Sequence, residues 1–448
     1  MTRIKGLAGA AFPLVAVVLV VLASIVPGAD PEPARAPATV AVTQSTYACP
    51  AGSVITVAAG QVEPGTSGTA SVLPGREPAA ALGGATTWRS AVVDGPGVIV
   101  EQQGRGAVGY FAGTAPKSGG GGLVVGSCSG VVDDSWLLGL GSGNKHFSTL
   151  ILTNLAASPA AVDLTLWGPE GEIDAVNADG IVIAPFSVQR IRLDALAAGE
   201  SELAVHVHRR RGSVSAVVND TSTATFKGTE PISASVAPSR EQVIGGLVEG
   251  ASGRTLLVLN PGTSTARVDV EVLGSEGTFT PSGLEQVKVP AGTLQAVTVP
   301  ATAGATPQAL RLTSDQPVSS TVRMAPTNDD YAYAEASPVL SGPAVVPIQL
   351  GAEGSVPQLV LTAPGGAASV EVQALDASMA PLMSSTVELA PGTTQVAGVD
   401  ADGAAYLVLR PTGDVIAAAT YAKGGGISSL AVTDAPVSVA APQVRSLG

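Results

Sequence analysis

Three stretches of the chain repeat one alternation of apolar and polar positions. In AVDLTLWGPEG (161–171), RVDVEVLGSEG (267–277) and SVEVQALDASM (369–379), Val162, Leu164 and Leu166 match Val268, Val270 and Val272, then Val370, Val372 and Ala374. Asp163, Thr165, Asp269, Glu271, Glu371 and Gln373 fall between them. Successive side chains of a strand point to opposite faces, so this period of two predicts strands with one buried face. An apolar run precedes each: TLILTN (149–154), TLLVLN (255–260) and QLVLTA (358–363). After each come two strand pieces broken by a Pro or Gly turn: IVIAPFSVQ (181–189), VKVPAGTLQ (287–295) and VELAPGTTQ (387–395). These set Gln189, Gln295 and Gln395 in register. Each unit closes with a strand, a hairpin turn and a strand: LAVHVHRRRGSVSAVV from 203, ALRLTSDQPVSSTV from 309 and YLVLRPTGDVIAAAT from 406.

The repeat period is about 100 residues, which fits sandwiches better than propeller blades or solenoid coils. The expected fold is all-β: tandem Ig-like β-sandwich domains after one N-terminal transmembrane helix. GVIVEQQGRGAVGYFAG (97–113) and ASVLPGREP (70–78) suggest that the first segment is a worn copy of the same unit. The expected domains are a cytoplasmic stub and anchor over 1–27, a Pro-rich spacer over 28–39, a disulfide-clamped β domain over 40–130, and sandwiches over 131–240, 241–340 and 341–448.

The anchor rests on Arg3 and Lys5, then an uncharged run from Leu7 to Val26, then Asp30 and Glu32. That run is long enough to cross a bilayer core, and positive charge before it places the N-terminus in the cytoplasm with residues 28–448 outside. The competing reading is a signal peptide, cleaved to release a secreted chain. Four prolines in PGADPEPARAPAT (27–39) predict a stiff spacer. In an exported chain the two cysteines predict one disulfide, Cys49 to Cys128, with two buried free thiols as the alternative.

Composition sharpens this picture. Charged residues are 13% and aromatics 3%, with 54 Gly and 33 Pro, which suits short strands and turns rather than long helices. A net charge of −13 argues against a nucleic-acid partner, which needs clustered cations.

The pattern WLLGLGSG…STLILTNLAASPAAVDLTLWGPEG…GIVIAPFSVQRI…GSVSAVV (136–218) resembles a secreted bacterial Ig-like repeat. The whole chain, with its apolar N-terminus, proline spacer and CP…GSCSG cysteines, resembles an actinobacterial single-pass family of unknown function. The resemblance implies fold and location, and carries no reaction and no site residues. The chain departs from the repeat at Phe186, where glycine is usual, and at Ala363, where the turn Asn is usual.

Candidate chemistry is sparse. His206 and His208 could share a metal on one face of a strand, but zinc wants three or four ligands and the remaining histidine, His146, is read in a preceding loop. Their counterparts in the later units are Arg311 and Thr313, then Val408 and Arg410, so the expectation is a solvated strand face and no metal. Arg209, Arg210 and Arg211 before Gly212 form the expected contact for an anionic partner, against the plainer reading of a solvated turn. Asp133-Asp134 and Asn328-Asp329-Asp330 lack calcium-loop spacing and read as acidic linkers. The glycine run Ser118–Gly122 reads as a linker, not a phosphate loop. No histidine has an acid partner at readable spacing, so no catalytic residue and no cofactor is expected. Trp88, Trp136 and Trp167 are weighed as a sugar platform, with domain packing preferred; Trp167 falls on the outer face of its sheet or against the next domain.

The functional expectation is a non-catalytic, membrane-anchored extracytoplasmic scaffold of the cell envelope, whose partner is an envelope protein or polysaccharide. A polysaccharide-binding accessory protein is the alternative, and an envelope enzyme the third.

Overall fold

The alternating stretches form strands whose two faces differ in burial as the pattern requires. Val162, Leu164, Leu166, Val268, Val270, Val272, Val370, Val372 and Ala374 are all buried, whereas Asp163, Thr165, Asp269 and Gln373 keep partial or full exposure. A computed structural model describes residues 39–50, 54–82, 89–114, 123–223, 226–248, 253–300, 308–325, 330–348, 350, 357–399, 402–435 and 438–440. Apart from one short 3-10 turn at Leu193–Ala195, every regular element among them is a strand.

Residues 42–437 form one compact unit, and within it the strands group into four sandwiches. The sandwiches begin at Gln44–Ala48, Asp134–Leu140, Ser239–Leu247 and Ala344–Pro347, and end at Val124–Ser127, Lys227–Ile232, Ala332–Glu335 and Gly426–Val432. Each has eight strand positions in two sheets, ordered first-sixth-third-fourth and fifth-second-seventh-eighth. The fourth position of the second sandwich is split into Gly171–Ile173 and Ile181–Ile183. Immunoglobulin constant domains run ABED and CFG, with the first strand beside the second. Here the first strand lies beside the sixth, so the structure carries the sandwich architecture without that strand order. The other unit contains a two-stranded ladder between Thr39–Ala41 and Ser438–Ala440.

The expected closing hairpins are corrected. Leu203–Arg211 lies in one sheet and Val214–Thr223 in the other, so the two strands do not pair with each other. Gly212, at φ +83°, turns the corner where an added Cβ would sit 2.6 Å from Ala160 Cα. In the third sandwich the same passage is one continuous strand, Gln308–Ala325, shared by both sheets.

The membrane anchor is also corrected. Among the described residues no helix is long and apolar enough to cross a membrane, and residues 1–38 lie outside the described residues. The single-pass placement, with 28–448 beyond the membrane, is therefore withdrawn. Hydropathy shows only that a run is long and apolar, whereas a span also needs that run to be helical. Trp88, residues 118–122, Asn328 and Asp329 likewise fall outside the described residues.

Cys49 and Cys128 form the disulfide, clamping the first sandwich just after its first and eighth strands. A loop with a sequence separation of 79 residues contributes about 4–5 kcal/mol when stabilisation is referred to chain entropy.

The sandwiches do not follow one another as an open array. Ala58, Phe111, Leu123 and Val125 of the first share a core with Leu359, Tyr406 and Leu430 of the fourth. Leu155, Phe186 and Val188 of the second pack on Leu73 and Ile99 of the first. Leu257, Leu259 and Leu294 of the third join the core of the second, and Val243 and Leu273 of the third meet Ile416 of the fourth. The first sandwich thus touches both the second and the fourth, and the chain closes on itself.

Two departures from the repeat acquire reasons. Gly292 and Gly392 sit at φ +66° and +70°, the left-handed turn that glycine adopts freely; Phe186 occupies the same place at φ +44°. That conformation costs a bulky residue of order 1 kcal/mol, and its ring is offset by packing at the dock with the first sandwich, under the Arg76 guanidinium at 4.2 Å. Asn154 and Asn260, fully buried, reach the same set of carbonyls: Ser158, Ile183 and Ala184 in one sandwich, Ser264, Val289 and Pro290 in the next. They staple two corners from inside, and Ala363 has no side chain to do so.

Candidate functional site

The outer face of the first sheet of the second sandwich gathers the residues singled out in the sequence. Its edge strand Asp134–Leu140 pairs with Leu203–Arg211, which pairs in turn with Ala160–Gly168. The register sets Asp134, His208 and Asp163 in one cross-strand row and Trp136, His206 and Thr165 in another, two residues along. His206 Nε2 and His208 Nδ1 each lie 2.8 Å from the same oxygen, Asp134 Oδ1. The His206 ring stacks on Trp136 at 4.0 Å and 11°, and Trp136 stacks on Trp167 at 5.8 Å. Hydrogen bonding from His208, with His206 adding to it, holds the Asp134 carboxyl below its ordinary range. Burial lowers the His206 imidazole, outweighing the Asp134 carboxylate beside it.

Asp134 therefore belongs to an edge strand while Asp133 stays in the exposed segment before it, and His206 and His208 have an acid partner that sequence spacing hid. Trp167 lies on the outer face as expected, but it is buried there, in the cluster that includes Leu257 and Leu294 of the third sandwich. Its face is spent on packing rather than left open as a platform.

The arginine tip is less cationic than its sequence. All three arginines lie within the strand, not in the turn. Arg209 bonds Asp133 and donates to the Gly212 carbonyl at 2.9 Å, and Arg210 bonds Asp163. Burial pushes the Asp163 carboxyl up, but the Gly180 N–H and Arg210 outweigh it, so Asp163 sits below its ordinary range. Arg211 is exposed, with Ala161 across the ladder. Because two of the three charges are neutralised in place, the protein is expected to pass through a polyanion column without retention at ~0.15 M salt. Asp133→Asn with Asp163→Asn should create retention; wild-type retention that Arg211→Ala abolishes would count against this.

A second cluster lies at the junction of the second and third sandwiches. His146 opens the strand His146–Asn154 rather than sitting in a loop, and its Nε2 lies 2.9 Å from Asp220 Oδ2. Ser148 Oγ donates to Asp220 Oδ1. The Tyr331 and Tyr333 hydroxyls, from the end of the third sandwich, reach Asp220 Oδ2 at 3.0 and 3.1 Å. Tyr333 also reaches the Gly139 carbonyl at 2.8 Å, and a Cβ on Gly139, at φ +86°, would stand 2.7 Å from the tyrosine ring. Asp220, Tyr331 and Tyr333 are all buried. Beside them, Arg323 of the third sandwich grips Glu202 of the second through two bonds of 2.9 and 2.7 Å.

Serine, histidine and aspartate meet here without forming a nucleophile. An activated serine gives its proton to the imidazole. Ser148 and His146 instead both turn to Asp220, and Ser148 Oγ accepts the Gly141 N–H at 2.9 Å. Through Asp220 the trio instead receives Tyr331 and Tyr333 of the third sandwich.

A pocket of about 610 Å³ opens where all four sandwiches meet, lined by Tyr47 and Tyr110 of the first, Ala216 of the second, Glu335 of the third and Leu430 of the fourth. Glu335 accepts the Ser233 N–H at 3.1 Å, and burial pushes its carboxyl up to about 8. Glu230, nearby on the second sandwich, accepts from Ser428 Oγ of the fourth at 3.0 Å. Burial, reinforced by Asp330, raises its carboxyl well above the ordinary range.

Sequence reading passed over Asp220, Glu230 and Glu335. For Asp220 a signal was present: it continues the phase of Val214, Ala216 and Val218, so a charge falls on the buried face of a strand.

Comparison with known proteins adds a family. The profile of a family of unknown function (DUF5719) matches residues 86–400. No curated protein matches. Among solved structures, a pilus adhesin, SpaC from Lactobacillus rhamnosus GG, is 9% identical with a TM-score of 0.11. That match covers 89% of this chain and 56% of the adhesin, so this chain spans about half the adhesin's length.

Proposed function

This chain belongs to that family of unknown function, DUF5719, and we propose that it is a non-catalytic scaffold that presents the outer faces of a rigid four-sandwich body to a cell-envelope protein or polysaccharide. The observation that carries the reading is how the buried polar groups are used. Asp220, with Tyr331 and Tyr333, and the Arg323–Glu202 pair tie the second sandwich to the third. Ser428 ties the fourth to Glu230 of the second and to the Val125 backbone of the first. Buried polar groups bonded across sandwiches in this way favour one arrangement, because breaking a bond leaves a desolvated partner. The reading needs fixed relative orientation of sandwiches, not chemistry at any of these groups. The disulfide adds a clamp of the kind that persists in oxidising surroundings.

The test is saturable binding of the full chain to purified envelope polysaccharide and to envelope membrane proteins, with the contact mapped by cross-linking and mass spectrometry. One mapped surface, with no turnover in a panel of glycan, ester and peptide substrates, is the expected result. Turnover that follows the protein through purification would overturn the reading. Polysaccharide binding is favoured by one observation, the pocket at the meeting of four sandwiches with Tyr47 and Tyr110 in its wall. A glycan array separates the two, because saccharide capture that weakens with Tyr47→Ala selects the polysaccharide.

A further inference from the structure

On the ledge of the second sandwich, three side chains from two neighbouring strands direct donor atoms at one small volume. Asp134, His206 and His208 offer atoms that all lie within 4.8 Å of one another. Two of the three separations are already 2.8 Å, because both imidazoles point at Asp134 Oδ1. Nitrogen and oxygen ligands bind zinc at about 2.0–2.2 Å, which in a tetrahedral site places neighbouring ligand atoms roughly 3.3–3.6 Å apart. A spread of roughly 0.5–0.8 Å at the two short separations would therefore seat an ion, and the half-exposed Asp134 and His208 side chains can supply that.

The His206 ring does not have to be ordered on binding. Its stack on Trp136, itself backed by buried Trp167, holds the imidazole plane in place. Neighbouring charges are already committed, Asp163 to Arg210 and to the Gly180 N–H, and Asp133 to Arg209. Asp134 lies apart from those pairs, with both imidazoles as its partners. The later sandwiches show what the same cross-strand positions carry without this role. In the third they are Glu241, Arg311 and Thr313, and Arg311 pairs with Glu271 instead.

We propose that Asp134, His206 and His208 form a surface binding site for a divalent transition-metal ion of the zinc class, through one carboxylate oxygen and two imidazole nitrogens. Imidazole with carboxylate suits zinc, copper or nickel rather than magnesium or calcium, which prefer six or more oxygens. The His208 and Asp134 side chains are about half exposed, so the ion keeps its remaining positions toward solvent. Those open positions are where a donor from outside the chain would bind.

The test is calorimetric titration of the full chain with zinc chloride, with magnesium and calcium chloride alongside. One zinc per chain is expected, with no comparable heat from magnesium or calcium. His208→Gln and Asp134→Asn should each weaken zinc at least tenfold while leaving the thermal melt unchanged, since both groups lie at the surface. Cobalt(II) should give visible ligand-field bands in the wild-type chain that both variants lose. Equal zinc affinity in His206→Gln/His208→Gln and wild type would overturn the site, as would cobalt spectra that do not change with substitution.

Discussion

Asp220→Ala is expected to be the most damaging single substitution, lowering stability by about 4–5 kcal/mol. The carboxylate is fully buried and is reached by His146, Ser148, Tyr331 and Tyr333. Removing it strands Ser148 Oγ and His146 Nε2 in the second sandwich and leaves Tyr331 and Tyr333 only the Asp220 and Gly139 carbonyls, and each buried donor left unpaired costs about 1–3 kcal/mol. Urea unfolding of the full chain reads the loss as a lower midpoint, and the third sandwich should unfold separately from the second. Tyr333→Phe, which deletes one hydroxyl and keeps the ring, should cost about 1–1.5 kcal/mol. If Asp220→Ala costs no more than Tyr333→Phe, Asp220 is not the hub of the junction.

The second large effect is a dependence on pH that runs opposite to ordinary acid denaturation. Burial raises the Glu335 carboxyl to about 8, from its ordinary 4.5. Between those values the folded chain keeps a proton that the unfolded chain has released. The stabilising difference is fully present below about pH 4.5, is lost progressively as pH rises, and is gone above about 8. At roughly 1.4 kcal/mol per unit, the change amounts to about 4–5 kcal/mol. Glu230, raised in the same direction, adds to the fall. His206, lowered by burial, works the other way, since its folded form resists the proton that the unfolded imidazole takes up near neutral pH. The clean readout is therefore wild type against Glu335→Gln. Urea midpoints at pH 5, 6.5 and 8 should show the wild type losing its advantage as pH rises, while the glutamine variant stays flatter. Parallel curves would show that Glu335 ionises as freely folded as unfolded.

The strands were legible because their signal is local. A period of two in Val162, Leu164 and Leu166, repeated twice more, names one face of one strand without reference to anything distant. Phe186 stood out by the same logic, since its siblings Gly292 and Gly392 occupy a turn that requires left-handed backbone. The arginines and histidines of the second sandwich could be listed from sequence, but not their partners. Asp134 is 72 residues from His206 and 74 from His208, and Asp220 is 74 from His146. Those pairs exist because the first strand lies beside the sixth, and the second beside the seventh.

What the sequence by itself determined is the unit: an all-β repeat and the buried faces of its alternating strands. Tertiary structure alone decided the neighbours. It closed four sandwiches through shared cores, neutralised two arginines of the tip, and set one aspartate between two histidines. The physical reason is range. Alternation records how a residue meets its own strand, whereas a hydrogen bond or ion pair needs two groups within about 3 Å, and strand order is what brings them there.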